Sequence, residues 1–358
     1  MDTRKIFVTL ISALALSSCV SKADPDNLNY IGFSASVGKL QVKSEGTKET
    51  LVQPATAAPF ESISSTSPLN AKLLFSFYPG DYVVNASDEL YNKYFGECSI
   101  PCHTDVSFSS ADYEFIKKDG RNLTYPSGAS VPVYCAGLYP QQGWTISNKS
   151  TEGDNPVVYT QAVHAVDGTT DIMYSEVIAG SWTVPFTSQN YKHLQAWVKV
   201  LVSANTNDAA SKWGNITKIT IQSESNVNVL YGQGSGGACD IKYTHTVEGD
   251  EQIYTDLLVY SNPTTGFPLN ITTSQLGSVF VVPPADCILD LVVYTTVFHE
   301  GKHVKVKLYD LDNNLIQSRK ETIGKLFVLN LNFTNIDVIE GVCTLNYWND
   351  QDDDLYLQ

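Results

Sequence analysis

The sequence predicts an all-β protein made of two β-sandwich domains. Its 358 residues are rich in Val, Thr and Tyr, and β-branched and aromatic side chains favour strands. Apolar and polar residues alternate with period 2 in several runs, for example at 303–309, and this period is typical of a half-buried strand. Runs of this kind recur at short intervals between turn residues, which is the spacing expected of a sandwich.

The first half of the chain supplies one predicted domain, residues 19–180. NLNYIGFSASV at 27–37 predicts a first strand with Ile31, Phe33, Ala35 and Val37 on its buried face. The polar, Ser/Thr/Pro-rich stretch at 38–70 predicts an exposed loop with a short strand. Further strands are predicted within 71–84, 122–147 and 169–181.

A change of pattern near residue 180 marks the predicted boundary, so residues 181–358 form the second domain. Its predicted strands lie within 182–204, 216–239, 253–263, 277–284, 287–298, 303–312, 315–322 and 325–336.

The formal net charge of −15 argues against a nucleic-acid partner, because no basic stripe is available to neutralise phosphates. Apolar residues make up 43% of the chain, which is enough for a substantial core.

The N-terminus predicts an export signal for a lipoprotein at residues 1–18. Arg4 and Lys5 precede an apolar run that is too short to span a bilayer. The run ends in Leu-Ser-Ser-Cys at 16–19, which fits a bacterial lipobox, so Cys19 is the predicted lipidation site. The attached acyl chains would anchor the protein without a transmembrane helix.

Six cysteines remain after Cys19, and an even number in an exported chain permits disulfides. Their pairing stays open at this point. They are Cys98, Cys102, Cys135, Cys239, Cys287 and Cys343.

The segment His299-Glu300-Gly301-Lys302-His303 matches the H-E-x-x-H signature of zinc peptidases. That signature requires a helix, on which the two His lie one turn apart. Both flanks are rich in β-branched and aromatic residues, and the downstream flank alternates with period 2, which predicts a hairpin turn at Glu300–Lys302 with the two His facing each other across it. We therefore expect no metal site, no cofactor and no enzymatic activity.

Asp310, Asp312, Asn314 and Glu321 fall at the ligand positions 1, 3, 5 and 12 of a calcium-binding loop. Leu315 occupies position 6, where the sharp turn needs Gly, and the flanks are predicted strands. A hairpin turn at Asn313-Asn314 is the favoured interpretation.

Several segments together resemble the fimbrillin-type pilins, the type V pilus subunits. They are the lipobox, LTYPSGASVPVYCAGLYPQQGW at 123–144, TDIMYSEV at 170–177, VPFTSQNYKHLQAWVKVLV at 184–202, IGKLFVLNLNF at 323–333 and TLNYWND at 344–350. Their order along the chain is that of the family. The resemblance implies two transthyretin-like Greek-key sandwich domains and no catalytic site.

The resemblance also implies how the subunit would assemble. A lipoprotein of this family reaches the outer membrane, and a trypsin-like protease cuts the loop after the first strand. Cleavage would release Tyr30, Ile31, Phe33 and Val37, and a strand of another pilus subunit would fill the open groove by β-augmentation.

One feature departs from the family. The usual cut follows Arg, but after Arg4 the next Arg is Arg121. The candidate processing sites are therefore Lys39, Lys43 and Lys48. An uncut, lipidated chain would serve as a basal anchor.

The alternative prediction is a glycan-binding surface lipoprotein, in which exposed tryptophans stack on sugar rings. This alternative requires several Trp side chains to be exposed and coplanar on one face. The candidates are Trp144, Trp182, Trp197, Trp213 and Trp348.

Overall fold

A computed structural model of the chain describes residues 34–37, 50–51, 57–60, 62–76, 103–108, 125, 132–150, 158–231, 239–249, 251–335 and 338–346. The fold of these residues is all-β, as predicted, with one short α-helix and one 3₁₀ turn. The strands in chain order are β1 (Ser34–Val37), β2 (Thr50–Leu51), β3 (Leu69–Ser76), β4 (His103–Phe108), β5 (Val133–Tyr139), β6 (Trp144–Ser150), β7 (Val158–Ala165), β8 (Met173–Ser175), β9 (Ile178–Gly180), β10 (Ser188–His193), β11 (Ala196–Ala204), β12 (Asn215–Ser223), β13 (Asn226–Tyr231), β14 (Cys239–Thr244), β15 (Thr246–Glu248), β16 (Glu251–Ile253), β17 (Thr255–Ser261), β18 (Phe267–Pro268), β19 (Ser274–Val281), β20 (Ile288–Thr295), β21 (Lys302–Tyr309), β22 (Leu326–Phe333) and β23 (Ile339–Asn346).

Helix α1 (Asn207–Trp213) connects β11 to β12. The hydroxyl of Thr206 accepts a hydrogen bond from the backbone N–H of Ala209, which caps the first turn. Gly214 ends the helix with φ +70°. Trp213 is fully buried, so the helix fixes a large ring in the core.

The 3₁₀ turn (Arg319–Glu321) lies where the sequence predicted a strand at 315–322, so that prediction is wrong. The chain turns here because Arg319 reaches back to two partners. Its Nε donates to the carbonyl of Pro283 at 2.7 Å, and its guanidinium pairs with the buried carboxylate of Glu224. These two contacts favour the turn over an extended strand at Arg319–Glu321.

The described strands form two large sheets. The seven-stranded sheet has the order β1-β10-β8-β5-β3-β4, with β9 beside β5. The ten-stranded sheet has the order β17-β12-β20-β21-β23-β22-β11-β19-β2, with β18 beside β12. Every residue of β19 is buried, which fits a strand covered on both faces.

Two smaller sheets complete the pairing among the described strands, with the orders β14-β13-β7-β6 and β15-β16. Pairing crosses residue 180 at three places. β10 joins the seven-stranded sheet, β13 pairs with β7, and β2 pairs with β19. The two halves of the chain thus share strands, while the domain division at residue 180 and the transthyretin-like topology stay predictions.

The core consists of two main clusters of buried side chains on opposite faces of the seven-stranded sheet. On β3, Leu69, Leu73 and Phe75 belong to one cluster, while Leu74 belongs to the other. The second cluster continues into the ten-stranded sheet through residues such as Val198 of β11. The seven-stranded sheet is therefore buried on both faces in its middle, and β1 and β4 are the outermost of its described strands.

Candidate functional site

The candidate functional site is the edge of the seven-stranded sheet, where β1 lies against β10. The two strands run parallel, with Ser34 opposite Ser188 and Val37 opposite Tyr191. β1 is the last strand in the sheet order, so a described strand pairs with only one of its two backbone edges. A short edge strand of this kind is held by few contacts.

The side chains of β1 alternate between the core and solvent. Ala35 is 4% exposed and Val37 is 9% exposed, whereas Ser36 between them points outward. Ala35 and Val37 belong to the cluster that also contains Tyr191 and Phe75. The buried face is the one that the alternation at 31–37 predicts.

Beside the buried side chains of β1 lies a chain of polar groups on β10 and β5 of the same sheet, which we call the seat of β1. Tyr191 Oη donates to Gln189 Oε1 at 3.1 Å, and Gln189 Nε2 donates to Cys135 Sγ at 3.3 Å. Burial raises the pKa of Cys135, and burial together with the nearby Cys135 raises the pKa of Tyr191. Both groups therefore stay protonated, and the floor under β1 carries no charge.

Gly137 of β5 makes room for this seat. A Cβ placed at residue 137 would lie 2.6 Å from Cζ of Tyr191 and 2.9 Å from Oε1 of Gln189. Those distances are shorter than side chains tolerate, so the seat requires glycine here. The sequence analysis did not identify the seat. Gln189, Tyr191 and His193 are buried with period 2 on β10, and nothing in this ordinary strand pattern indicates that the polar groups of Gln189 and Tyr191 contact one another.

Residue 57, which follows β2 in the chain, is fixed to the other large sheet. Ser278 Oγ donates to the carbonyl of Ala57 at 2.7 Å, and Trp197 Nε1 donates to the same carbonyl at 3.2 Å. Ala57 is buried with Trp197, Phe280 and Leu326. We call residues 57–60 the clamp segment, because these contacts attach it to the ten-stranded sheet.

Most predicted site residues lie outside the described part of the chain. This holds for the lipidation site Cys19, for Tyr30, Ile31 and Phe33 of the first strand, and for Lys39, Lys43 and Lys48. Val37 is described, and it lies in β1 as given above. The structure also brackets the predicted processing loop between β1 and β2.

A hairpin joins β20 to β21, as the flanking pattern predicts, with 299–301 in the turn and Lys302 and His303 already in β21. Gly301 has φ +82°, a conformation that favours glycine. The expectation that the two His face each other is wrong, because His303 lies opposite Val292 while His299 is in the exposed turn. Among the described residues, no group of three or more His, Cys, Asp or Glu side chains could hold a metal ion.

The Asp310 loop also forms a turn. Asp310 Oδ1 accepts hydrogen bonds from the backbone N–H groups of Asp312 and Asn314 at 2.9 and 2.7 Å. Asn313 has φ +60°, so the turn predicted at Asn313-Asn314 is confirmed. These hydrogen bonds lower the pKa of Asp310, and they use its carboxylate as an acceptor within the turn itself.

The four described cysteines are free thiols, namely Cys135, Cys239, Cys287 and Cys343. Cys98 and Cys102 lie outside the described residues. Burial raises the pKa of all four described thiols, so none is activated as a thiolate.

The described tryptophans do not form an exposed platform. Trp197 and Trp213 are buried, and Trp144 and Trp182 are partly buried against the core clusters. The indole N–H of Trp213 donates to the carbonyl of Thr334 at 2.8 Å, which fixes its position in the core. Trp348 lies outside the described residues. The tryptophan-based glycan alternative has no support in the described part of the chain.

Within the described ranges, no helix has the length and apolar character needed to cross a membrane.

Comparison with known proteins gave structural likenesses only. No family model matches the chain, and neither does any curated protein. A candidate cell adhesion protein from Bacteroides ovatus has a TM-score of 0.47 at 13% identity, covering 90% of this chain and 99% of that one. A candidate cell adhesion protein from Bacteroides uniformis has a TM-score of 0.45 at 10% identity, covering 89% and 99%. A fimbrial assembly protein from Parabacteroides distasonis has a TM-score of 0.39 at 9% identity, covering 88% and 95%. Likenesses at these TM-scores carry no argument about what this chain does.

Proposed function

We propose that this chain is a cell-surface fimbrial or adhesion protein and, more specifically, a structural pilus subunit that assembles by exchange of β1. The observation that carries the proposal is the position of β1 at the end of the sheet order, where a described strand pairs with only one of its sides and two of its side chains lie in the core. Such a strand can leave without breaking the rest of its sheet.

Loss of β1 would leave a groove with a specific chemistry. The backbone edge of β10 would lose its partner, and the apolar side chains packed against Ala35 and Val37 would meet water. Unpaired N–H and C=O groups beside an apolar floor favour addition of another strand. A second copy of this chain is the proposed source of that strand.

The clamp segment supports cleavage in the 38–49 loop. A cut after Lys39, Lys43 or Lys48 would detach β1, whereas Ala57 would keep its hydrogen bonds to Ser278 and Trp197. The new N-terminus would then stay attached to the ten-stranded sheet. A trypsin-like protease is the proposed processing partner, since Lys residues are its sites.

We place the mature chain at the outer membrane through lipid on Cys19, and at the cell surface after cleavage. An uncut chain would remain a lipidated basal anchor. Metabolic labelling with a fatty acid should mark the wild-type protein and leave Cys19→Ala unlabelled. Equal labelling of the two proteins would contradict the lipid anchor and leave strand exchange untouched.

Limited trypsin digestion of the intact chain tests the main proposal. The first cuts should fall after Lys39, Lys43 or Lys48, because the Ser/Gly/Thr content of residues 38–50 predicts a site that a protease can reach. Size-exclusion chromatography of the cut protein should then show oligomers.

The matched control is Lys22→Gln, which removes a lysine on the other side of β1. Cleavage after Lys22 leaves β1 connected to the body of the protein, so this variant should oligomerise like the wild type after digestion. A variant with Gln at positions 39, 43 and 48 should stay uncut between β1 and β2, even if it is cut after Lys22, and should remain monomeric. Oligomers from that uncut variant, or a cut protein that remains monomeric, would contradict the proposal.

A further inference from the structure

A cleft of about 610 Å³ opens between the clamp segment and the loop at 167–171. Its volume lies within the usual range of ligand sites, roughly 300–1,000 Å³. The cleft does not include β1, so its interpretation is independent of strand exchange. The chemistry of its two walls indicates what it would bind.

One wall carries two aromatic rings. Phe60 and Tyr139 both line the cleft, with ring centroids 5.3 Å apart and an angle of 51° between their planes. Both residues are partly exposed rather than sealed in the core. Partly exposed ring faces suit a ligand that has apolar C–H surface and polar groups in one molecule.

Besides Ala58 and Pro59, the rest of the lining is rich in side-chain oxygen atoms. Ser62, Ser67 and Thr170 contribute hydroxyl groups, and Asp171 contributes a carboxylate. The Thr170 hydroxyl donates its own hydrogen to Asp167 Oδ2 at 2.6 Å, so towards a ligand its oxygen serves as an acceptor. A wall rich in acceptors favours a ligand with many hydroxyl donors.

Charge narrows the class of ligand further. The described lining contains no Lys or Arg, and the negative Asp171 disfavours an anionic ligand. Burial and the Asp171 charge raise the pKa of Tyr139, so the phenol keeps its proton and can donate one hydrogen bond. A neutral, hydroxyl-rich molecule meets these conditions.

The polar groups are held in place before any ligand arrives. Asp171 is 5% exposed, its Oδ1 lies 2.8 Å from His193 Nδ1, and its Oδ2 accepts from the backbone N–H of Phe60 at 2.9 Å. A carboxylate offers about four acceptor positions, and these two contacts leave others for a ligand. Rigid placement lowers the entropic cost of binding.

We propose that this cleft is a binding site for a neutral saccharide, whose ring packs against both Phe60 and Tyr139 and whose hydroxyls donate to Thr170 and Asp171. The site uses no tryptophan. It would give the protein a ligand-binding surface beside its structural role.

Saturation-transfer NMR on the full chain tests the site, with methyl glycosides of glucose, galactose and mannose as probes and sialyllactose as the anionic comparison. At least one methyl glycoside should receive saturation at its ring C–H groups, more strongly than sialyllactose. Phe60→Ala and Tyr139→Ala should each weaken binding by about tenfold. Tyr139→Phe keeps the aromatic ring, so it should lose less binding affinity than Tyr139→Ala.

The control variant is Phe298→Ala, which removes a partly buried ring that does not line the cleft. It should bind like the wild type. Near-ultraviolet circular dichroism establishes whether each variant is folded. If Tyr139→Ala is unfolded, the affinity of Tyr139→Phe measures what the Tyr139 hydroxyl contributes to binding. Absence of saturation transfer to all three methyl glycosides, unchanged binding in folded Phe60→Ala, or stronger binding of sialyllactose would overturn the proposal.

Discussion

Truncation of Val37 should loosen β1 without unfolding the protein. Val37 is 9% exposed and packs in the cluster that contains Tyr191. The change Val37→Ala removes two methyl groups from this contact. The rest of the seven-stranded sheet does not depend on β1 for pairing, because β10 keeps its pairing with β8.

The size of the effect follows from burial. Each buried methyl group contributes about 0.8 kcal/mol, and the space left behind adds to the loss. The total is about 2 kcal/mol, which corresponds to roughly a 25-fold increase in the equilibrium constant for opening of β1.

Amide hydrogen exchange measures this opening. The amides of β1 should exchange about 25-fold faster in Val37→Ala, while those of β19 keep their protection. Ser36→Ala is the matched control, since Ser36 points outward and its Oγ lies 3.5 Å from Asn190 Oδ1. Equal acceleration in both variants, or acceleration spread over β19, would refute the reasoning that β1 opens as a local unit.

Three further outcomes follow from other contacts. Gly137→Ala should lower the free energy of unfolding by about 1–3 kcal/mol, because its Cβ overlaps Tyr191, and chemical denaturation should detect this. Partial burial raises the pKa of Asp167, but the hydrogen bonds from Thr170 and its neighbour outweigh burial and hold this pKa below 3.8. The resulting stabilisation is present above pH 3.8 and is lost as pH falls through the lowered pKa, so Asp167→Asn should lack this acid transition in a pH titration of stability. Zinc added to the wild type or to Glu300→Gln should give no peptide hydrolysis in a fluorogenic assay, and chelator-sensitive activity that Glu300→Gln lacks would disprove the hairpin interpretation of HEGKH.

The sequence predicted the strands of the second half well because their alternation is regular. β21 alternates cleanly, β20 is rich in β-branched residues, and the turn between them contains Gly301. The strand prediction failed at 315–322, where the ion pair between Arg319 and the distant Glu224 determines the backbone conformation. The sequence analysis also passed over α1, although Thr206 before the helix is a recognisable N-cap signal.

The seat of β1 could be predicted only in part. Alternation indicated the buried face of the first strand, since a period of 2 is a local property. The partner strand could not be found in this way, because β10 lies about 150 residues further along the chain and pairs in parallel. The clamp at Ala57 gives no local signal either, because its hydrogen-bond partners, Trp197 and Ser278, are distant in sequence.

Capture of a free strand by the cut protein tests the central claim most directly. The probe is a fluorescent peptide with the sequence of residues 28–37, added to protein digested in the 38–49 loop, with fluorescence anisotropy as the readout. We expect saturable binding by the cut protein, little binding by the uncut protein, and loss of binding when the peptide carries Val37→Asp, because burial of an unpaired carboxylate in the cluster around Val37 is costly. Equal binding by cut and uncut protein, or no binding by either, would contradict an exchangeable β1.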